Sequence, residues 1–125
     1  MKKFITILLC ILVVSCEDVI DLDLNTSNPK LIIEASINWI KGTSGNEQEI
    51  KLSLSAPYYN LETPPANNAS VSIFDSNNNE YTFTEDGTTG VYKNNSFVPV
   101  LNAEYYLEIN YQGETYSASE TLKSV

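Results

Sequence analysis

From Lys30 onward, apolar side chains recur at every second position rather than every third or fourth. Leu31, Ile33, Ala35, Ile37 and Trp39 alternate with Glu34, Ser36 and Asn38, and Ile50, Leu52 and Leu54 alternate with Lys51, Ser53 and Ser55. Successive side chains of a strand point to opposite faces, so each such run buries one face and wets the other. The same pattern predicts strands over 69–74, with Val71 and Ile73 on one face, and over 81–84, 91–93 and 105–111. A last strand over 114–122 has Tyr116, Ala118 and Leu122 inward. Turn signals stand between them: two glycines in 41–47, DSNNN at 75–79, a turn over 85–90 and Gln112-Gly113. Pro57, Pro64 and Pro65 cannot donate to a ladder and mark 56–68 as a long connection, and 94–102 is a second, carrying Phe97, Pro99 and Leu101.

No stretch of this region has a helical period. Strands that are apolar on one face must cover that face with another sheet. The expectation is therefore an all-β, antiparallel β-sandwich of about seven strands, immunoglobulin-like or transthyretin-like. Tyr105, at the start of the sixth strand, suits a tyrosine corner, its hydroxyl bonding back to nearby main chain. Trp39 falls in phase with Leu31, Ile33 and Ile37, which predicts burial in the core.

The chain ahead of Lys30 follows another rule. Lys2 and Lys3 lead into an apolar run of 11 residues, Phe4 to Val14, then Ser15, Cys16, Glu17 and Asp18. A positive start, an apolar stretch and a small residue at the cut make a signal peptide. As a helix the run spans about 16 Å against a hydrocarbon core of about 30 Å, which is short for a membrane anchor. Val13-Val14-Ser15-Cys16 resembles a bacterial lipobox, in which cleavage exposes the cysteine and lipid is attached to it. The division expected is a leader over 1–15, an acidic tether over 16–29 and the sandwich over 30–125. Lipid on Cys16 would join the protein to a membrane, and two or more acyl chains make such anchoring durable.

Composition narrows the chemistry. Cys10 belongs to the leader and lipid consumes the Cys16 thiol, so no disulfide is expected. Sixteen acidic residues face seven cations, all lysine, for a net charge of −9. Such a surface is a poor match for nucleic acid or for anionic headgroups. With no histidine in the chain, Ser-His-Asp and Cys-His arrangements and His-ligated zinc sites drop out. The expectation is a protein that is not an enzyme and carries no cofactor and no metal.

In order, Cys16 to Asp23 (CEDVIDLD), Leu31 to Ile37 (LIIEASI), Leu52 to Tyr59 (LSLSAPYY) and Ala69 to Ile73 (ASVSI) are followed by Tyr81-Thr82-Phe83 and Gly90-Val91-Tyr92. Then come Tyr105 to Ile109 (YYLEI) and Gly113 to Ala118 (GETYSA). This order resembles the N-terminal part of a Bacteroidota outer-membrane lipoprotein family, domain of unknown function 4249, whose members are usually two to three times longer. The resemblance implies an outer-membrane lipoprotein, often encoded beside a TonB-dependent transporter, and supplies no catalytic residues. The acid-rich tether resembles the signals that send such lipoproteins to the cell surface; a periplasm-facing domain is the alternative.

Three candidate sites remain. Tyr58 and Tyr59, on the proline-rich connection, offer an aromatic platform for a glycan, because their rings present apolar faces with polar edges; the plainer expectation is a lid over the sandwich end. Asp75, Asn77 and Asn79 match the first half of a calcium loop, but Glu80 stands where glycine is required, which favours a polar hairpin turn. Glu104, Glu108, Glu114 and Glu120 read as a solvated acidic face rather than a catalytic pair. The expected function is an accessory or binding domain for a transporter or its substrate, and the alternative is a structural spacer without a ligand.

Overall fold

The computed structural model describes residues 28–57 and 60–124, together with Met1 and Lys3. Cys16, nearly all of the leader and the tether, and both Tyr58 and Tyr59 lie outside the described residues. Seven antiparallel strands are present: β1 Leu31–Ala35, β2 Gln48–Leu54, β3 Ser70–Asp75, β4 Glu80–Glu85, β5 Val91–Asn94, β6 Glu104–Tyr111 and β7 Glu114–Thr121. Their order across the curled sheet is β1-β2-β5-β4-β3-β6-β7.

Two halves face each other, with β1-β2-β5 in one and β3-β6-β7 in the other. Labelled A to G along the chain, these are the A-B-E and C-F-G groupings of the immunoglobulin Greek key. The all-β, antiparallel sandwich expected from the sequence is thus present. β4 is the joint. Its first part pairs with β3, from Phe74↔Glu80 to Val71↔Phe83, and its end crosses to β5 at Thr84↔Lys93 and Glu85↔Tyr92.

The core lies where the halves meet. Ile50, Leu52 and Tyr92 come from one side, and Val71, Ile73, Phe83, Tyr105 and Ile109 from the other, all buried. Phe97, from the β5–β6 connection, is fully buried among them. Its ring lies 4.9 Å from that of Tyr81 and 5.0 Å from that of Tyr105, the latter edge-on at 85°, a favoured geometry for aromatic pairs.

The first strand is shorter than its alternation suggests, and Trp39 is not in the core. β1 stops at Ala35, and Trp39 is 45% exposed. The cause is Gln48, whose buried side chain intercepts the main chain just past β1. Its Nε2 donates to Asn38 O and to Gly45 O, both at 2.6 Å, and its Oε1 accepts the Asn38 N–H at 3.0 Å. With Asn38 held by a side chain, the ladder ends at Ala35↔Ile50. In β7, Tyr116 is half-buried as expected, as is Leu122 just past its end, whereas Ala118 is exposed.

The two edge strands, β1 and β7, border a cleft of about 520 Å³ whose lining includes Ile33, Ile37, Phe83, Leu107 and Leu122. Antiparallel pairing also sorts the connections to two ends. The β2–β3 connection and the β4–β5 and β6–β7 turns lie at the end where the chain enters β1. Residues 36–47, 76–79, 95–103 and 122–124 gather at the opposite end.

Candidate interaction surfaces

At the entry end, the proline-rich connection is not a free loop over its second half. Leu54 N–H donates to Pro64 O at 2.8 Å, Ala66 N–H donates to Leu52 O at 3.0 Å, and Pro65 bridges Ser53. The prolines contribute only carbonyls here, the one ladder role open to them. Tyr92, 1% exposed, fastens the rest. Its hydroxyl donates to Ala66 O at 2.8 Å and accepts the Ala69 N–H at 3.0 Å. Burial holds the Tyr92 phenol above its ordinary pKa, and the nearby Glu85 charge acts in the same direction. Gly90, at φ +71°, passes so close to β2 that a Cβ would run into Leu52 O. Pro57 and Asn60, on either side of Tyr58 and Tyr59, are exposed and joined by Asn60 N–H to Pro57 O at 2.9 Å.

At the opposite end, the β3–β4 turn is a polar hairpin turn built on Asp75. One carboxylate oxygen accepts the Asn77 and Asn79 N–H groups, both at 2.9 Å, and the other accepts Asn79 Nδ2 at 2.8 Å and Tyr81 O–H at 3.4 Å. The side-chain amide and main chain of Asn79 lead in holding the Asp75 carboxyl below its ordinary range. Asn78 takes the left-handed conformation at φ 60° that asparagine tolerates. The carboxylate is fully engaged in shaping the turn, so the calcium-loop reading gives way to the turn. Among the described residues, no three of His, Cys, Asp and Glu converge in a metal-binding group.

The four glutamates do not converge either. Glu104, Glu114 and Glu120 are exposed and Glu108 is half-buried. Glu108 accepts Asn110 Nδ2 at 3.2 Å, and Glu114 accepts Tyr116 O–H at 2.6 Å.

The tyrosine corner is present. Tyr105, 6% exposed, accepts the Val100 N–H at 2.8 Å through its hydroxyl. That bond fixes the 95–103 connection, which Asn46 ties to the 36–47 loop through Nδ2 to Asn95 O at 2.9 Å. Trp39 lies over Gly45, where a Cβ would stand 2.8 Å from its ring, and Pro99 closes on the same glycine. The indole N–H is turned inward to Thr43 O at 2.9 Å. Around this braced pair, Ile40 is 73% exposed, with Val98, Val100 and Leu101 exposed beside it. Alternation alone did not reveal this surface. The run of apolar residues at Val98, Val100 and Leu101, in a stretch without strand signals, was its trace in the sequence.

The fold is an antiparallel β-sandwich of seven strands. Residues 17–125 match the family described as "Domain of unknown function (DUF4249)". The chain belongs to that family. No curated protein and no solved structure matches it.

Proposed function

We propose that this chain is a lipid-anchored lipoprotein of the cell envelope, cleaved before Cys16 and carried by acyl chains on that residue. Its immunoglobulin-like domain is a binding or accessory module at the outer membrane, exposed on the cell surface and associated with a TonB-dependent transporter or its substrate. One observation carries this reading: an apolar leader ends at Ser15-Cys16, and the family match begins at residue 17. The leader stops where the domain family starts. The absence of histidine from the sequence favours binding over catalysis that relies on a histidine base.

Growth on labelled palmitate tests the anchor. Label is expected in the parent protein and absent from Cys16→Ser, and an unlabelled parent with its leader still attached refutes the placement. Affinity isolation from detergent-solubilised envelope tests the partner. Recovery without any transporter argues for the spacer role instead.

A further inference from the structure

We propose that the end of the sandwich formed by residues 36–47 and 95–103 inserts shallowly into a lipid surface, with Trp39 and Ile40 on one loop and Val98, Val100 and Leu101 on the other. Among the described residues, five of the nine exposed large apolar side chains lie on these two loops. They are braced together by the Asn46 to Asn95 bond and by Trp39 and Pro99 closing on Gly45. In a chain with 16 acidic residues, loops 36–47 and 95–103 carry one, Glu47 at the foot of the first loop beside β2, and one cation, Lys41. Charge is costly where water is withdrawn, and its scarcity around these exposed apolar side chains fits a face that leaves water.

Three N–H groups of the patch are already paired within the chain, which suits lipid better than a protein partner. The indole N–H is spent on Thr43 O, the Thr43 N–H on Ile40 O at 3.0 Å, and the Val100 N–H on the Tyr105 hydroxyl. Pairing of these three donors lowers the cost of a shallow approach to lipid, whose tails offer no partners. A protein interface of ordinary kind would instead use such groups, at about one hydrogen bond per 100–200 Å². The side chains also stand out from loop tips rather than lining a groove, and an indole is the ring type favoured at a membrane interface. The net charge of −9 opposes anionic headgroups at long range. The contact is therefore apolar and local, and it suits a zwitterionic surface.

The patch lies at the end of the sandwich opposite the entry to β1. If the anchor is on Cys16, the 14 residues from Cys16 to Pro29 span at most about 50 Å. The eight-residue β6 measures only about 27 Å. An anchored domain can therefore turn either end to the bilayer.

Trp39 is the only tryptophan in the chain, so it reports on the patch without labelling. The full-length lipidated protein is reconstituted into phosphatidylethanolamine–phosphatidylcholine vesicles made with plain or brominated acyl chains. Flotation of the vesicles reads the anchor, and quenching reads the loops, so the two can fail separately. The expected result is loss of Trp39 emission in brominated vesicles and a shift to shorter wavelength in plain ones. Both should disappear in Ile40→Asp/Val100→Asp, whose altered side chains are exposed and whose far-UV circular dichroism should match the parent. Equal emission in the two vesicle types, or quenching that survives the double substitution, overturns the proposal. A blue shift that grows with protein density and comes without quenching assigns the patch to contacts between copies, and overturns it equally.

Discussion

Replacing Tyr92 by Phe removes a single oxygen and leaves the ring in place, which makes it a sharp test of what holds the entry end together. The hydroxyl serves two main-chain groups, Ala66 O and the Ala69 N–H. Ala66 is fully buried and Ala69 partly so, so neither has ready access to replacement water. A buried group left without a partner costs about 1–3 kcal/mol. With the more accessible amide at the low end, the loss comes to about 2–4 kcal/mol, against a whole-domain stability of about 5–15 kcal/mol. Tyr105→Phe is the internal comparison, because only one group, the N–H of the exposed Val100, loses its partner. That loss should be about 1 kcal/mol. Urea unfolding monitored by circular dichroism gives both values, with the midpoint expected to fall and the slope to stay the same. A Tyr92→Phe loss below about 0.5 kcal/mol, or one no larger than that of Tyr105→Phe, would show that the proline-rich connection is not held through this hydroxyl.

Gly90→Ala should be far more damaging than Gly87→Ala. Both glycines have positive φ, but only at Gly90 does a Cβ meet main chain. Thermal melts should show about 1–2 kcal/mol of backbone strain at Gly87 and clearly more at Gly90. Acidification should loosen the β3–β4 hairpin. The folded-state pKa of Asp75 is depressed, so its contribution is present above the ordinary carboxylate range and lost as pH falls through the lowered value. Protection of the Asn77 and Asn79 amides, relative to their intrinsic exchange rates, should fall over that interval and be low at every pH in Asp75→Ala. At the alkaline limit the sign reverses. Tyr81 and Tyr92 have raised pKa values, chiefly from burial, so the folded state loses stability as pH climbs from their ordinary 10.0 through the raised values. Phenolate absorbance should therefore appear together with unfolding. If Tyr58 and Tyr59 form the glycan platform rather than a lid, the parent is retained on a glycan array and Tyr58→Ala/Tyr59→Ala is not; no retention of the parent, or undiminished retention of the variant, would dispose of it.

The strands were legible in the sequence because period-two alternation is a local property, needing only that one face be dry. All seven lie close to their expected places, although β1 is four residues shorter than its alternation because Gln48 takes the main chain of Asn38. Tyr105 was legible too, since a tyrosine corner requires only a ring at a strand start with main chain a few residues upstream. The proposed leader and lipid site at Cys16 rest on sequence alone, because such a signal would be recognised by a machine that meets the chain unfolded. Tertiary structure decided what depends on which faces meet. It set β4 between two partners, brought the Tyr92 hydroxyl to the far connection, and seated Phe97 in the core from a segment without strand character. It also moved Trp39 from the expected core to a surface shared with Val98, Val100 and Leu101, residues about 60 positions away in the chain. Alternation says that a side chain leaves water. What it leaves water for is settled only when distant segments come together.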